Sequence, residues 1–238
     1  CVEAAAEAGW HELHTVLGTP ETRYRHRVPW SEQLEQTLEA LNALEPVLRA
    51  CDSRLNLETH GEITTFELVR LCREAGPERC GVCLDTANVL VFAEDPVAAA
   101  RRVAPYTHLT HAKDAILFFS EAGLTRQGRP PGKGVIDWKA LLDELRPYAP
   151  DLPLSIEDHK WLFDVPIFDP HWHAEQADLS RKELARVVEL AWHCQKQIHD
   201  GTLPDPGTYE AIPYGEQLQD RLLAGRDHLR KITRKSRV

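Results

Sequence analysis

The 238-residue sequence lacks several features that would assign it to a particular class of protein. It contains no apolar run near the roughly 18 residues of a membrane span, and no glycine-rich phosphate loop follows any of its apolar segments. It also lacks an excess of positive charge, because 28 Lys and Arg face 37 Asp and Glu, for a net charge of −9. An acidic surface repels phosphate backbones, so the composition argues against nucleic acid as well as membrane as a partner.

Methionine is absent, and the six cysteines form no regular disulfide framework. Cys80 and Cys83 have the spacing of half a zinc site, but no second pair completes it, and they lie in an apolar segment typical of a buried strand. We therefore expect reduced core cysteines and a cytoplasmic protein. Because the sequence starts at Cys1 within a helical pattern, we also expect the natural N-terminus to precede this residue.

Segments with strand and helix periodicity alternate along the chain. Strands are predicted at 10–18, 55–58, 80–86, 106–114 and 152–158. Helices are predicted at 2–9, 29–50, 66–76, 95–103, 136–145, 178–201 and 216–231. The segments at about 115–134 and after 158 are predicted as loops, and the basic end KITRKSRV as a solvated, frayed tail. This order predicts a parallel α/β fold in one domain, 1–238, with a C-terminal helical extension at about 203–238.

Four consecutive predicted strands end in a side chain that can bind a metal ion: Glu58, Asp85, His111 and Glu157. The first two intervals between them are 27 and 26 residues. In a β/α barrel the carboxyl ends of the strands meet at one rim, and an oxygen-rich set with one imidazole suits Mn²⁺, Mg²⁺ or Co²⁺. Taken singly, a Glu or Asp at a strand end is more often a helix cap or an ion pair, and a lone His is more often a hydrogen-bonded polar residue. Five strands do not close a barrel, whereas eight do, so the alternatives are an open sheet or three missing N-terminal units.

The segments LNLETHGEIT, GVCLDTANVL, LTHAKDA, GKGVIDW and LSIEDH, in this order, resemble the xylose isomerase-like barrel superfamily of sugar isomerases and epimerases. The resemblance implies a (β/α)8 TIM barrel whose last five strands this chain supplies, with three units of roughly 30 residues each before Cys1. It also implies one divalent metal ion bound by Glu58, Asp85, His111 and Glu157. The expected ion is Mn²⁺, with Mg²⁺ or Co²⁺ as alternatives. In the sugar epimerases the two Glu ligands double as catalytic acid and base.

The reaction implied by the resemblance begins with proton abstraction next to a sugar carbonyl and passes through an enediolate. We therefore expect a metal-dependent sugar isomerase or epimerase. The pair Glu58-x-His60 is also similar to the metal-binding subunits of C-glycoside deglycosidases in the same superfamily, where the His helps cleave a 3-keto sugar from an aromatic aglycone. A lyase acting on 3-keto C-glycosides is the alternative. The expected partner is a small sugar or glycoside, and the expected assembly a homo-oligomer, with a small second subunit as a further option.

Two histidines lie close to the proposed ligands. Residues i and i+2 share one face of a strand, so His60 beside Glu58 and His159 beside Glu157 should both face the metal. We predict that His60 is a catalytic acid–base group, because its ordinary pKa lies near neutrality. The motif HELH at 11–14 is not the metalloprotease helix motif, since its histidines are three residues apart instead of four.

Further residues are predicted to contact the substrate: Asn88, Lys113, Arg129, His159 and Trp161. Asn88 stands where the sugar epimerases carry a His, which is a departure from their pattern. Arg129 is preferred over Arg126 and Lys133 as the residue that would bind a hydroxyl or phosphate of the substrate, because the family often places an Arg before its PGxG turn. Trp161 either stacks on a sugar or aglycone or belongs to a packed rim.

Two other interpretations stay open. One is an apurinic-site endonuclease on the same barrel, but such enzymes carry ligands for three metals and a basic face, whereas this chain has one four-ligand set and a net charge of −9. The other is a non-catalytic barrel subunit kept for binding. A complete ligand set argues against it, and the metal content of the purified protein would separate the two.

Overall fold

The computed structural model describes residues 1–234, which form eight strands and ten α-helices. The strands are β1 (Glu12–Thr15), β2 (Arg54–Glu58), β3 (Cys80–Asp85), β4 (Thr107–Ala112), β5 (Asp114–Ser120), β6 (Gly123–Arg129), β7 (Ser155–Ile156) and β8 (Leu162–Val165). The helices are α1 (Val2–Glu7), α2 (Pro20–Arg25), α3 (Trp30–Ala50), α4 (Thr65–Ala75), α5 (Pro96–Val103), α6 (Trp138–Leu145), α7 (Pro170–Glu175), α8 (Arg181–His199), α9 (Pro206–Ala211) and α10 (Tyr214–Arg234).

Five strands form a parallel sheet in the order β1-β2-β3-β4-β7. Their apolar side chains Leu57, Val82 and Leu84 are buried against the covering helices, in one core with Leu68 and Leu141. The alternate side chains point to the opposite face of the sheet. The predicted parallel α/β architecture is therefore confirmed, and the sheet forms the wall of half a barrel.

The turns between strands and helices follow the capping chemistry of the sequence. The Thr64 hydroxyl accepts a hydrogen bond from the backbone N–H of Glu67, whose carboxylate accepts from the backbone of Thr64 in return. Asp95 caps α5 by accepting a hydrogen bond from the backbone N–H of Ala98, with Pro96 at the first turn. These caps start each helix a few residues after its strand, so the strand ends stay free to form a common rim.

The prediction of a loop at about 115–134 was wrong. Strands β5 and β6 form an antiparallel hairpin there, and β8 completes a three-stranded sheet. The turn uses Gly123 at φ +122°, a conformation that favours glycine. The polar residues of β6, including Arg126 and Gln127, are all buried. Such a polar sequence does not predict a buried strand, and β6 is stabilised by pairing with β5 on one side and β8 on the other.

Several shorter elements also differ from the prediction. Helix α2 lies before α3, and the segment after 158 contains β8 and α7 instead of a loop. The last helix extends to Arg234, so the first half of the predicted frayed tail is helical, and residues 235–238 of that tail and of the predicted extension lie outside the described residues. Within residues 1–234, the helices fall short of the combination of length and apolar character that crossing a bilayer requires.

Candidate metal centre and active site

Four strand-end side chains converge on one point of the structure. Each of Glu58, Asp85, His111 and Glu157 offers a ligand atom within 4.8 Å of the others. The register of the sheet explains the convergence, because Asp85 pairs with His111 across β3 and β4, and Glu58 pairs with Cys83 across β2 and β3. The sequence prediction that these four side chains share one rim agrees with this geometry.

Asp85 shows how the local turn prepares a ligand. Its Oδ1 accepts hydrogen bonds from the backbone N–H groups of Ala87 and Asn88, at 3.0 and 3.1 Å, and so caps the 3-10 turn that follows. Its Oδ2 points into the cluster and lies 2.6 Å from Lys113 Nζ. One oxygen is therefore held by the backbone, while the other faces the cluster, where the Lys113 ammonium is its cationic neighbour.

Three buried atoms of this cluster have close ionic neighbours but no hydrogen bond of good geometry within residues 1–234: Asp85 Oδ2, His111 Nδ1 and Glu157 Oε2. The His111 Nδ1 atom lies 3.1 Å from Glu157 Oε2 and 3.4 Å from Glu58 Oε1. Buried polar atoms are almost always paired in folded proteins. Three such atoms that face one another, from two carboxylates and an imidazole, fit a divalent cation.

The pKa values of the cluster show a strong preference for positive charge at its centre. Burial acts to raise the pKa of Glu58, but the neighbouring His111 and His14 imidazoles outweigh it and lower this pKa to about 2. Burial likewise acts to lower the pKa of His111, but Cys83, Glu157 and Glu58 raise it to about 12. The His111 imidazole holds the pKa of Glu157 well below its usual range. The carboxylates are thus ionised and hold a proton on His111, which a bound metal ion would have to displace.

Lys113 belongs to this cluster and is almost completely buried. Its Nζ contacts Glu157 Oε2 at 2.9 Å as well as Asp85. It also lies 2.6 Å from His159 Nε2. Because an ammonium group only donates hydrogen bonds, His159 accepts through Nε2 and is neutral. Burial, with Lys113 beside it, lowers the pKa of His159 to about 3, which agrees with that assignment.

His60 is held in a different way. Its Nδ1 lies 2.6 Å from Oε2 of the fully buried Glu62. The other oxygen of Glu62 accepts from the backbone N–H groups of Leu17 and Gly18, so the carboxylate itself is fixed. The hydrogen bond with Glu62 raises the pKa of His60. With Nδ1 engaged, Nε2 is the nitrogen that remains for a substrate.

A cavity of about 310 Å³ opens in front of these groups. Its lining includes the predicted substrate residues Asn88, Lys113, His159 and Trp161, together with Glu58, His60, His111 and Glu157. Trp161 lies at the rim, 63 % exposed, with its ring 4.6 Å from the His159 ring. A hollow of about 340 Å³ elsewhere is lined by Pro20, Tyr24 and Trp172 among others, and it contains none of the converging ligands.

Two arginines of the hairpin are placed differently from the prediction. Arg129 does not line the cavity, because its guanidinium stacks on the Tyr209 ring of α9, with Cζ 3.3 Å from the ring centre. Its contact with a substrate therefore stays a prediction without geometric support. Arg126 is fully buried behind Phe163, and its three guanidinium nitrogens have no hydrogen-bond partner within residues 1–234.

Sequence reasoning missed two residues of the site: His14 and Glu62. His14 is the third residue of β1, and its Nε2 lies 2.6 Å from Glu58 Oε2. It falls in the middle of the strand predicted at 10–18, so the strand-end pattern that marks the other ligands gave no signal for it. Glu62 follows His60 by two residues, which is the spacing of a carboxylate that can orient an imidazole.

Comparison with known proteins gives a consistent result. The family model described as xylose isomerase-like TIM barrel matches residues 1–185. Among curated proteins, the uncharacterised protein YihM of Escherichia coli K12 is 32% identical over 149 residues, which is 63% of this chain and 42% of that protein. A 3-oxo-isoapionate decarboxylase of Pectobacterium atrosepticum is 26% identical over 160 residues, 66% of this chain and 52% of the relative. The chain thus spans about half the length of these relatives.

Solved structures share the fold. A xylose isomerase-like TIM barrel protein of Mycobacterium smegmatis in complex with magnesium has a TM-score of 0.55 at 15% identity, covering 78% of this chain and 65% of its own. The 3-keto-D-glucoside 4-epimerase YcjR of E. coli, in its apo form, has a TM-score of 0.54 at 16% identity, covering 75% and 68%. At this level of identity the likeness establishes the fold alone.

Proposed function

This chain belongs to the xylose isomerase-like TIM barrel family, and from that premise we propose that it is a divalent-metal-dependent enzyme that isomerises or epimerises a sugar. The reaction starts with removal of the proton on the carbon next to the sugar carbonyl. The observation that carries this proposal is the convergence of Glu58, Asp85, His111 and Glu157 within 4.8 Å at the carboxyl ends of parallel strands. Active sites of β/α barrels lie at that rim.

These four residues would hold the metal ion. The three buried atoms without a hydrogen bond of good geometry, on Asp85, His111 and Glu157, support that assignment. Three carboxylates and one imidazole favour Mn²⁺, with Mg²⁺ or Co²⁺ as alternatives. The chemistry that such an ion supplies is Lewis-acid polarisation of the carbonyl group and stabilisation of the negative charge left by deprotonation.

The chain's own residues would move the proton. Glu157 and Glu58 are ionised carboxylates at the cavity wall, which makes each a candidate for the base that accepts the proton from carbon. His60 is the candidate for returning a proton through Nε2, because Glu62 fixes its Nδ1 and therefore its ring orientation. Asn88 Nδ2, 3.5 Å from Glu58 Oε1, would help to position that carboxylate.

The cavity fits a substrate of monosaccharide size. Its volume of about 310 Å³ lies at the lower end of the range for small-molecule sites. Lys113 and His159 provide polar contacts at its base, and Trp161 with Phe163 provides an aromatic wall at its mouth. Sugar rings stack on such walls through their C–H faces.

A second candidate is carbon–carbon bond cleavage on the same centre. The observation that favours it is the Lys113 ammonium, a cation that lines the cavity. A cation at this place suits a substrate that carries a carboxylate. The relative named 3-oxo-isoapionate decarboxylase would remove carbon dioxide from such a 3-oxo acid. Cleavage of a 3-keto C-glycoside, expected from Glu58-x-His60, would use the same proton transfer.

Proton exchange in D₂O tests the proposal most directly. The manganese-loaded protein would be incubated with ketoses, 3-keto glycosides and 3-oxo sugar acids, and NMR would follow deuterium at the carbon next to the carbonyl. We expect exchange with one of these classes, and the product then distinguishes epimer, isomer, carbon dioxide and free aglycone. A protein that binds one metal ion but exchanges no proton in any class would support a non-catalytic barrel instead.

Three other expectations belong to this proposal: the cytoplasmic location, the homo-oligomeric assembly and the small second subunit. The first follows from the six free cysteines and the other two from the resemblance. Sedimentation of the purified protein, alone and co-expressed with candidate subunits, measures the assembly.

A further inference from the structure

A second set of potential metal ligands adjoins the oxygen-rich cluster. His14, Cys83 and His111 each offer an atom within 4.8 Å of the other two. Cys83 lies on β3 two residues before Asp85, so both side chains point to the same face of the sheet, and Cys83 is fully buried. His14 lines the cavity, which gives an ion a path from solvent to this set.

The two sets share residues. The His111 Nδ1 atom faces Glu157 and Glu58, while its ring meets the His14 ring edge-on, with centroids 5.0 Å apart. Glu58 contacts both histidines, since Oε1 lies 3.4 Å from His111 Nδ1 and Oε2 lies 2.6 Å from His14 Nε2. A carboxylate oxygen is therefore available beside the two imidazoles and the thiol.

The ligand chemistry of the two sets differs. Carboxylate oxygens favour Mn²⁺ and Mg²⁺, whereas thiolate and imidazole favour Zn²⁺. A tetrahedral zinc ion holds nitrogen and sulfur ligands roughly 3.3–3.8 Å apart. Side-chain adjustments on the order of 1 Å would bring the present separations into that range, which rotations of His14 and Cys83 can supply.

We propose that His14, Cys83 and His111, with Glu58 as the adjoining oxygen donor, form a site for a thiophilic divalent ion such as Zn²⁺. Occupation of this site excludes the oxygen-bound ion, because Glu58 and His111 are needed by both. The protein therefore responds oppositely to two classes of metal: a hard ion loads the proposed catalytic centre, and a thiophilic ion at Cys83 withdraws two of its ligands. The inference rests on the metal centre of the proposed function but on no particular reaction.

Cadmium binding tests the thiolate ligand without any measurement of turnover, because Cd²⁺ is thiophilic and is not expected at the oxygen-rich set. Metal-free protein titrated with Cd²⁺ is expected to develop the ultraviolet thiolate-to-cadmium charge-transfer band, which cadmium bound only by oxygen and nitrogen lacks. Cys83→Ser should abolish the band. Cys194→Ser, which changes another buried cysteine on α8, is the matched control and should keep it. A wild-type protein without the band, or a band that survives Cys83→Ser, overturns the proposal.

Competition between ions tests the mutual exclusion. Zinc added to the manganese-loaded protein is expected to release Mn²⁺, seen as the electron paramagnetic resonance signal of the free ion. Cys83→Ser should weaken this displacement by zinc on the order of 100-fold, by loss of a ligand, while its Mn²⁺ affinity stays unchanged because Cys83 is not in the oxygen set. Unchanged zinc displacement in a Cys83→Ser protein that still binds Mn²⁺ would overturn the exclusion. Failure of the reaction in D₂O, by contrast, would leave both metal measurements intact.

Discussion

Two clusters of buried charge differ sharply in how their polar atoms are paired. The strand-end cluster consists of Glu58, Asp85, His111, Lys113 and Glu157. The helix-cap cluster consists of Thr65, Glu94, Arg102 and Glu183. In the latter, Arg102 Nη1 donates to Glu94 at 2.7 Å, and Arg102 Nη2 donates to both oxygens of Glu183 at 2.7 and 2.9 Å. Glu94 also accepts from the backbone and hydroxyl of Thr65.

The difference shows what each cluster is for. In the helix-cap cluster the Arg102 guanidinium donates to both carboxylates and joins α4, α5 and α8, with its Cζ 3.5 Å above the Phe66 ring. In the strand-end cluster three buried atoms have no hydrogen bond of good geometry within residues 1–234. The former holds the fold together, and the latter is suited to an added cation.

The largest expected effect separates the clusters by metal content. Glu58→Gln removes a charged ligand, so metal affinity should fall at least about 100-fold and proton exchange should fall with it. Glu94→Gln is the matched change in the helix-cap cluster and should leave metal stoichiometry unaltered. Isothermal titration with Mn²⁺ measures both. Equal affinity in the Glu58→Gln and unaltered proteins would remove Glu58 from the ligand set.

The next effect separates metal binding from proton transfer. His60→Ala should lower turnover about 10²–10⁴-fold, the usual contribution of general acid–base catalysis, while Mn²⁺ still binds, because His60 is outside the ligand set. Glu62→Gln keeps the shape of the Glu62 side chain but holds the His60 ring less firmly. Its turnover should lie between that of the unaltered protein and that of His60→Ala. If His60→Ala exchanged the substrate proton at the parent rate, the acid and base would be Glu58 and Glu157 alone.

Substitutions in the helix-cap cluster should change the free energy of unfolding. Arg102→Met leaves Glu94 and Glu183 buried without their partner, which should lower the free energy of unfolding by about 3–5 kcal/mol. Arg101→Met is the matched control on the same helix, since Arg101 pairs with Glu144 at the exposed surface and should cost less than about 1 kcal/mol. Urea unfolding followed by circular dichroism gives both values. Similar losses for the two variants would show that the helix-cap cluster has no special role.

A smaller effect is expected at the cavity rim. Trp161 is 63 % exposed, so Trp161→Ala should change the free energy of unfolding by less than about 0.5 kcal/mol. Loss of its stacking surface should weaken substrate binding by about 1 kcal/mol, which is roughly fivefold in KM. Steady-state kinetics with the substrate identified by exchange measures this. An unchanged KM would favour the packed-rim interpretation of Trp161.

The smallest effect concerns a histidine outside both clusters. Burial, with Lys231 and Lys133 nearby, lowers the pKa of His228 below the unfolded value of about 6.5. The unfolded chain therefore takes up this proton first, so the stability due to neutral His228 is present above about pH 6.5 and is lost as the pH falls from there through the lower pKa of the folded state. His228→Gln lacks this dependence. Unfolding free energies of the two proteins at pH 7.5 and 5.5 should diverge by less than about 0.5 kcal/mol, and parallel curves would contradict the burial argument.

The strand-end ligands were predictable because they depend on few physical variables. Apolar alternation marks the strands, and parallel strands place their carboxyl ends at one rim, so Glu58, Asp85, His111 and Glu157 could be brought together without coordinates. The hairpin of β5 and β6 was not predictable in this way. Its strands are stabilised by β8 and by helix α8, so the polar residues of β6 are buried by contacts distant in sequence.

The sequence by itself determined the parallel α/β family, the order of the strand-end ligands and the acidic character of the chain, because periodicity, spacing and charge are local properties of the residues. Only the tertiary structure decided which groups act on those ligands. Glu62 fixes His60, Lys113 lies between Asp85 and Glu157, and His14 brings a second imidazole to Glu58. Arg129, which the sequence predicted as a substrate contact, stacks on the Tyr209 ring instead. Each of these outcomes depends on side-chain direction and burial, which distant parts of the chain impose together.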